Sequence, residues 1–79
     1  MQYSKKDIWE LSLRIDKIVQ DSGMPRKDFA EMLGVKPCNL SLWTGGRCVP
    51  SLPNLIGIAR FAGITVDELL DGIVEVRRR

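Results

Sequence analysis

The sequence predicts an all-α fold: one compact domain of five short helices, then a brief C-terminal tail. Three observations predict it. A chain of 79 residues, 44% of them hydrophobic, has material for one small core and no second domain. Glycine and proline punctuate the chain at short intervals. Gly23, Gly34, Gly45-Gly46 and Gly63 recur with Pro25, Pro37, Pro50 and Pro53 among them. Between these marks the apolar residues return every three or four positions, which is the helical period, and do not alternate.

The first helix is expected from about Lys5 to Gln20. Ile8, Leu11, Ile15, Ile18 and Val19 make its apolar side. Lys6, Asp7, Glu10, Arg14 and Lys17 lie mostly opposite, and Gly23 can close the helix in the left-handed conformation. Trp9 sits off the stripe, where packing against the tail is expected. The second helix runs from about Arg26 to Leu33, with Phe29, Ala30 and Leu33 inward and Gly34 as its stop. The third starts at Lys36 or Pro37 and ends near Thr44. A proline is tolerated there because a first-turn N–H has no helical partner anyway. Leu40 and Trp43 are its inward pair.

Gly45-Gly46 ends the third helix, and a loop from Arg47 to Pro50 follows. The fourth helix is expected from Ser51, as N-cap, to Ala62. Leu52, Leu55, Ile58, Ala59 and Ala62 should face inward, and Gly57 weakens it by ~0.5–1 kcal/mol against alanine. The fifth opens with Thr65 and Glu68 in the spacing of a capping box. Asp67 adds negative charge where the helix dipole favours it. Val66, Leu69 and Leu70 give it an apolar face, and it ends near Asp71-Gly72. The tail is residues 73–79, Ile73-Val74-Glu75-Val76 and then Arg77 to Arg79. Its β-branched part reads either as a short strand pairing with a symmetry mate or as an extension of the fifth helix into a dimer contact. Ile73, Val74 and Val76 are therefore the candidate dimerisation residues.

Composition removes whole classes of chemistry. The chain has no histidine, so the commonest general base and the commonest metal ligand are missing. No phosphate-loop pattern and no convincing carboxylate pair appears, so no enzyme, cofactor or small-molecule ligand is expected. Cys38 and Cys48 are too few for a disulfide scaffold and lack the second pair of a zinc pattern. They read as two reduced thiols, without a metal. No apolar leader and no membrane-length run is present, so a cytoplasmic, nucleoid-associated protein of a bacterial cell is expected.

Charge is segregated. The net charge is only +2, from 12 basic and 10 acidic residues. Yet no Asp or Glu occurs from Met32 to Val66, while Lys36, Arg47 and Arg60 fall inside that stretch. Such a basic-only segment attracts a phosphate backbone and releases its counterions.

The acid-free stretch begins beside the most informative motif. Only Gly34-Val35-Lys36 separates the second and third helices, the arrangement of a helix-turn-helix. Ala30 is small where the third helix crosses, Gly34 can turn with positive φ, and Val35 and Leu40 fill the wedge. On these residues the segment MPRKDFAEMLGVKPCNLSLWTGG resembles the helix-turn-helix of the phage-repressor and Cro family. PSLPNLIGIARFAGITVDELL is similar to that family's fourth and fifth helices, so the likeness covers about Leu11 to Leu70.

The resemblance implies a lambda-repressor-like DNA-binding domain over residues 1–72. It implies a Cro-like or small-repressor regulator that inserts its third helix in the major groove of an operator. It also implies a homodimer on a pseudo-palindromic double-stranded site. A protein-interaction module on the same fold, such as an antirepressor, is the alternative. Outward positions of the third helix, Pro37, Cys38, Asn39, Ser41 and Leu42, are then the candidate base readers. Asn39 suits adenine, and Cys38 and Leu42 suit a thymine methyl. Arg26, Lys27, Lys36, Arg47 and Asn54 are the candidate backbone contacts. The sequence departs from the family at Pro25 and Arg26, where a hydroxyl cap and a bracing glutamine are usual. It departs again at Lys36-Pro37-Cys38-Asn39, where the family often has a serine cap and polar readers. Those departures bear on the base sequence read, not on the fold.

Overall fold

A capping box starts the first helix, α1 (Lys5–Ser22). The Ser4 hydroxyl accepts from the Asp7 N–H at 3.1 Å, and the Asp7 carboxylate accepts from the Ser4 N–H at 3.0 Å. The computed structural model describes residues 4–73. Four further helices follow: α2 (Arg26–Leu33), α3 (Pro37–Thr44), α4 (Leu52–Ala62) and the single turn α5 (Val66–Leu69). No strand occurs among the described residues.

The helices stop where glycine lets them. At the end of α2 the Gly34 N–H donates to the Glu31 carbonyl and the Val35 N–H to the Ala30 carbonyl, both at 3.0 Å. This paired closure needs a left-handed residue, and Gly34 has φ +76°. The same closure recurs at Gly46, through Arg47 to the Leu42 carbonyl, and at Gly63, through Ile64 to the Ala59 carbonyl. Each turn satisfies carbonyls that a helix end would otherwise leave unpaired.

One core unites the five elements. Leu11, Ile15 and Val19 of α1 meet Phe29 and Ala30 of α2, Leu40 and Trp43 of α3, and Leu55, Ile58 and Ala59 of α4. Leu69 closes it from α5. α3 packs on α1 and α2, while α4 packs on α1, α2 and α5. Phe29 meets Phe61 edge to face, with centroids 5.1 Å apart. Gly57 has a packing reason: a Cβ there would lie 3.1 Å from Leu33 Cδ2, so its hydrogen lets α2 seat against α4. Ser12, the one buried polar side chain among the described residues, donates to the Trp9 carbonyl at 2.6 Å.

Several sequence expectations are corrected. Leu52 is 62% exposed and Ala62 is also exposed, so neither belongs to the inward face of α4. Ser51 precedes α4 but makes no side-chain cap; its hydroxyl accepts from the Asn54 amide at 3.0 Å. Trp9 lies against the loop after α3, where a Cβ on Gly46 would come 3.0 Å from its Cε3; its expected packing against the tail falls largely outside the described residues. Ile73, expected in the tail and in a dimer contact, is 4% exposed and belongs to the core. Val74 and Val76 lie outside the described residues. None of the helices among the described residues is long and apolar enough to cross a membrane.

Candidate nucleic-acid interface

The turn at Gly34 fixes how α3 is displayed. Leu40 and Trp43 anchor α3 in the core, at 0% and 5% exposure. A helix turns 100° per residue, so the side opposite this pair carries Cys38, Ser41 and Leu42. All three are exposed, as is Pro37, while Asn39 sits at the edge and is half-buried. The five expected base readers are thus brought together on one short helix, three of them on its outermost line. Among the described residues, no side-chain hydrogen bond occupies the Asn39 amide.

Lys27 and Lys36 flank a shallow hollow at the helix-turn-helix junction, lined also by Glu31, Gly34, Val35 and Pro37. Both lysines are exposed, as is Arg47 just beyond α3. Asn54 stands in the first turn of α4, its amide turned toward Ser51.

Arg26, expected as a phosphate contact, is exposed and is also engaged within the fold. Its Nη2 donates to Asp16 Oδ1 of α1 at 2.6 Å, and its Nη1 donates to Thr44 Oγ1 at the end of α3 at 2.7 Å. This is the one ion pair among the described residues. The guanidinium fork ties the start of α2 to α1 and to α3. Thr44 passes the connection on by bonding back to the Leu40 carbonyl at 3.2 Å. Sequence reasoning missed Asp16 and Thr44, because their partner lies 10 and 18 residues away.

Helix beginnings divide into two kinds. α1 and α5 are closed by capping boxes, Ser4 with Asp7 and Thr65 with Glu68. α2, α3 and α4 begin at Pro25, Lys36 and Ser51 with no side-chain cap. At α3 the Asn39 N–H donates to the Lys36 carbonyl at 2.9 Å, and the helix dipole makes such uncapped ends attractive to phosphate. Helix-turn-helix residues therefore combine uncapped helix starts, exposed cations and an outward helix face with no acidic side chain on α3. Cys38 and Cys48 are free thiols, the first exposed and the second half-buried.

Comparison with known proteins agrees with this geometry. A family model described as the Cro/C1-type helix-turn-helix DNA-binding domain matches residues 14–75. The chain is 29% identical over 63 residues to the HTH-type transcriptional activator BcrR of Enterococcus faecalis. That match takes in 80% of this chain and 31% of BcrR, so the chain spans about a third of that relative's length. The fold is similar to the nuclear magnetic resonance structure of the DNA-binding domain of the P22 C2 repressor, with a TM-score of 0.70 and 22% identity. The similarity covers 82% of this chain and 86% of the repressor domain. The family match spans most of the chain and includes the helix-turn-helix, and the chain belongs to the Cro/C1-type helix-turn-helix DNA-binding domains.

Proposed function

We propose that the chain is a transcriptional regulator that binds an operator in double-stranded DNA by inserting α3 into the major groove. The observation that carries this reading is the display of Cys38, Ser41 and Leu42 outward from a helix held by Leu40 and Trp43. Asn39 reads a base edge from the margin of that face, and Pro37 bounds it. Lys27, Lys36 and Arg47 grip the backbone, helped by the open N-termini of α2 and α4. Asn54 joins them after releasing Ser51. Arg26 acts chiefly by holding α3 in place. The protein works as a homodimer on a pseudo-palindromic site, with Val74 and Val76 as the remaining candidates for the contact.

The test is binding to duplexes selected from a random pool, measured across salt concentrations. Affinity should fall with log salt at a slope of about −0.9 per phosphate contact. The selected sequence gives the half-site spacing, and two half-sites one helical turn apart, or a multiple of it, would support the dimer. A chain that binds no duplex at low salt overturns the reading in favour of a protein-interaction module.

A further inference from the structure

The outward line of α3 has an unusual chemistry for a groove-reading helix. The helix contains no charged side chain at all: its sequence is Pro37-Cys38-Asn39-Leu40-Ser41-Leu42-Trp43-Thr44. Its last hydroxyl, on Thr44, is occupied by Arg26 and by the Leu40 carbonyl. Cys38 and Leu42 stand one turn apart on the same face, and Leu42 keeps 39% of its surface exposed although α3 has room to bury leucine at position 40. The exposed ring of Pro37 extends this apolar line toward the start of the helix. Polar groups on the reading surface are reduced to the Ser41 hydroxyl and the half-buried Asn39 amide.

The floor of the major groove offers mostly hydrogen-bond donors and acceptors, which an isobutyl group and a thiol cannot satisfy. One apolar feature stands among them, the methyl on C5 of thymine. A methyl at C5 of cytosine projects from the same place on the other pyrimidine. Any other seating of Leu42 in the groove would cover polar base edges without bonding them, which costs affinity. Resting on the reading that α3 enters the major groove, we propose that Cys38 and Leu42 recognise the C5-methyl groups of pyrimidines. Sequence preference then comes mainly from methyl contacts, with Ser41 and Asn39 adding polar discrimination at the edge.

Deoxyuridine differs from thymidine at this position by the methyl alone, so it isolates the contact. The full chain is titrated with the duplex selected from a random pool, and with copies carrying uracil at one thymine at a time. One or two positions per half-site should lose affinity about fourfold each, the worth of one buried methyl-sized group. At those positions a C·G pair is then compared with 5-methylcytosine·G. A similar gain from the added methyl shows that any C5-methyl pyrimidine is read. A loss with uracil but no gain from methylating cytosine limits the contact to thymine and overturns the broader assignment.

Leu42→Ala and Cys38→Ser, both at exposed positions, should each erase the thymine-to-uracil difference at one position while leaving the salt slope unchanged. Lys36→Ala should weaken binding and retain the ratio. Equal binding of thymine and uracil duplexes at every position overturns the methyl contact while leaving DNA binding intact. A ratio that survives both substitutions overturns the assignment to these two residues. Absence of duplex binding at low salt overturns the operator reading and this proposal together.

Discussion

Replacing Gly46 by alanine adds two separable costs, and the structure supplies the control that divides them. Gly34 and Gly46 both end helices with nearly the same backbone, at φ +76° and +72°. An alanine in the left-handed region costs about 1–2 kcal/mol. At Gly34 nothing lies within 4 Å of an added Cβ, so Gly34→Ala should cost that amount and no more. At Gly46 the Cβ would meet Trp9 Cε3 at 3.0 Å and Cζ3 at 3.5 Å, and ordinary contact begins at 3.4 Å. Trp9 must yield by a few tenths of an ångström. Its side chain is 56% exposed and free to tilt, so the extra cost is that of an off-rotamer ring, roughly 0.5–1.5 kcal/mol.

Gly46→Ala should therefore destabilise more than Gly34→Ala. In a Trp9→Ala background its cost should return to the Gly34→Ala value. Urea unfolding followed by circular dichroism measures all of these, with the slope m held common to the variants. The coupling between positions 9 and 46 should equal the extra cost of Gly46→Ala. Equal costs at positions 34 and 46, with no coupling to Trp9, would refute the reasoning.

Three other outcomes follow from the packing and capping. Ile73→Ala should cost about 2–5 kcal/mol by urea unfolding, as for a core residue, and the difference from the parent should be the same at low and high protein concentration; a difference that grows with concentration would return Ile73 to an interface. Thr65→Ala should cost about 1 kcal/mol because it opens the α5 capping box, whereas Ser51→Ala should be close to neutral because that hydroxyl caps no N–H. In salt titrations of operator binding, Lys36→Ala should reduce the slope by about 0.9, while Arg26→Ala should weaken binding and leave the slope unchanged. A slope change in the Arg26 variant would restore that residue as a phosphate contact.

Local signals mark most helix ends in the sequence. The bounds of α2 follow from Gly34, and those of α3 from Pro37 and the double glycine. The Thr65–Glu68 box is present as expected. The Ser4–Asp7 box was missed because its acid is an aspartate rather than the glutamate or glutamine of the usual pattern. Leu52 and Ala62 share helical phase with buried residues but lie at the two ends of α4, past the edge of the core. Periodicity reports a face, not how far along it a neighbour extends. Arg26 was legible as an exposed cation, but its partners depend on how α1 and α3 pack. Ile73 was placed in the tail because its β-branched neighbours read as strand, whereas the Ile73 N–H bond to the Leu70 carbonyl turns it back into the core.

The uncapped beginnings of α2, α3 and α4 have an implication for engineering. A serine or aspartate at an N-cap is worth about 1 kcal/mol to a helix, and positions 25 and 36 hold proline and lysine instead. The domain thus leaves readily available thermal resistance unused. Substituting Ser or Asp at these positions should produce a hardier protein whose first-turn amides are already engaged by its own side chains. Its grip on an incoming anion would be poorer in proportion. Selection for heat tolerance alone would be expected to find these positions early, and to yield variants that outlast the parent and hold phosphate less well.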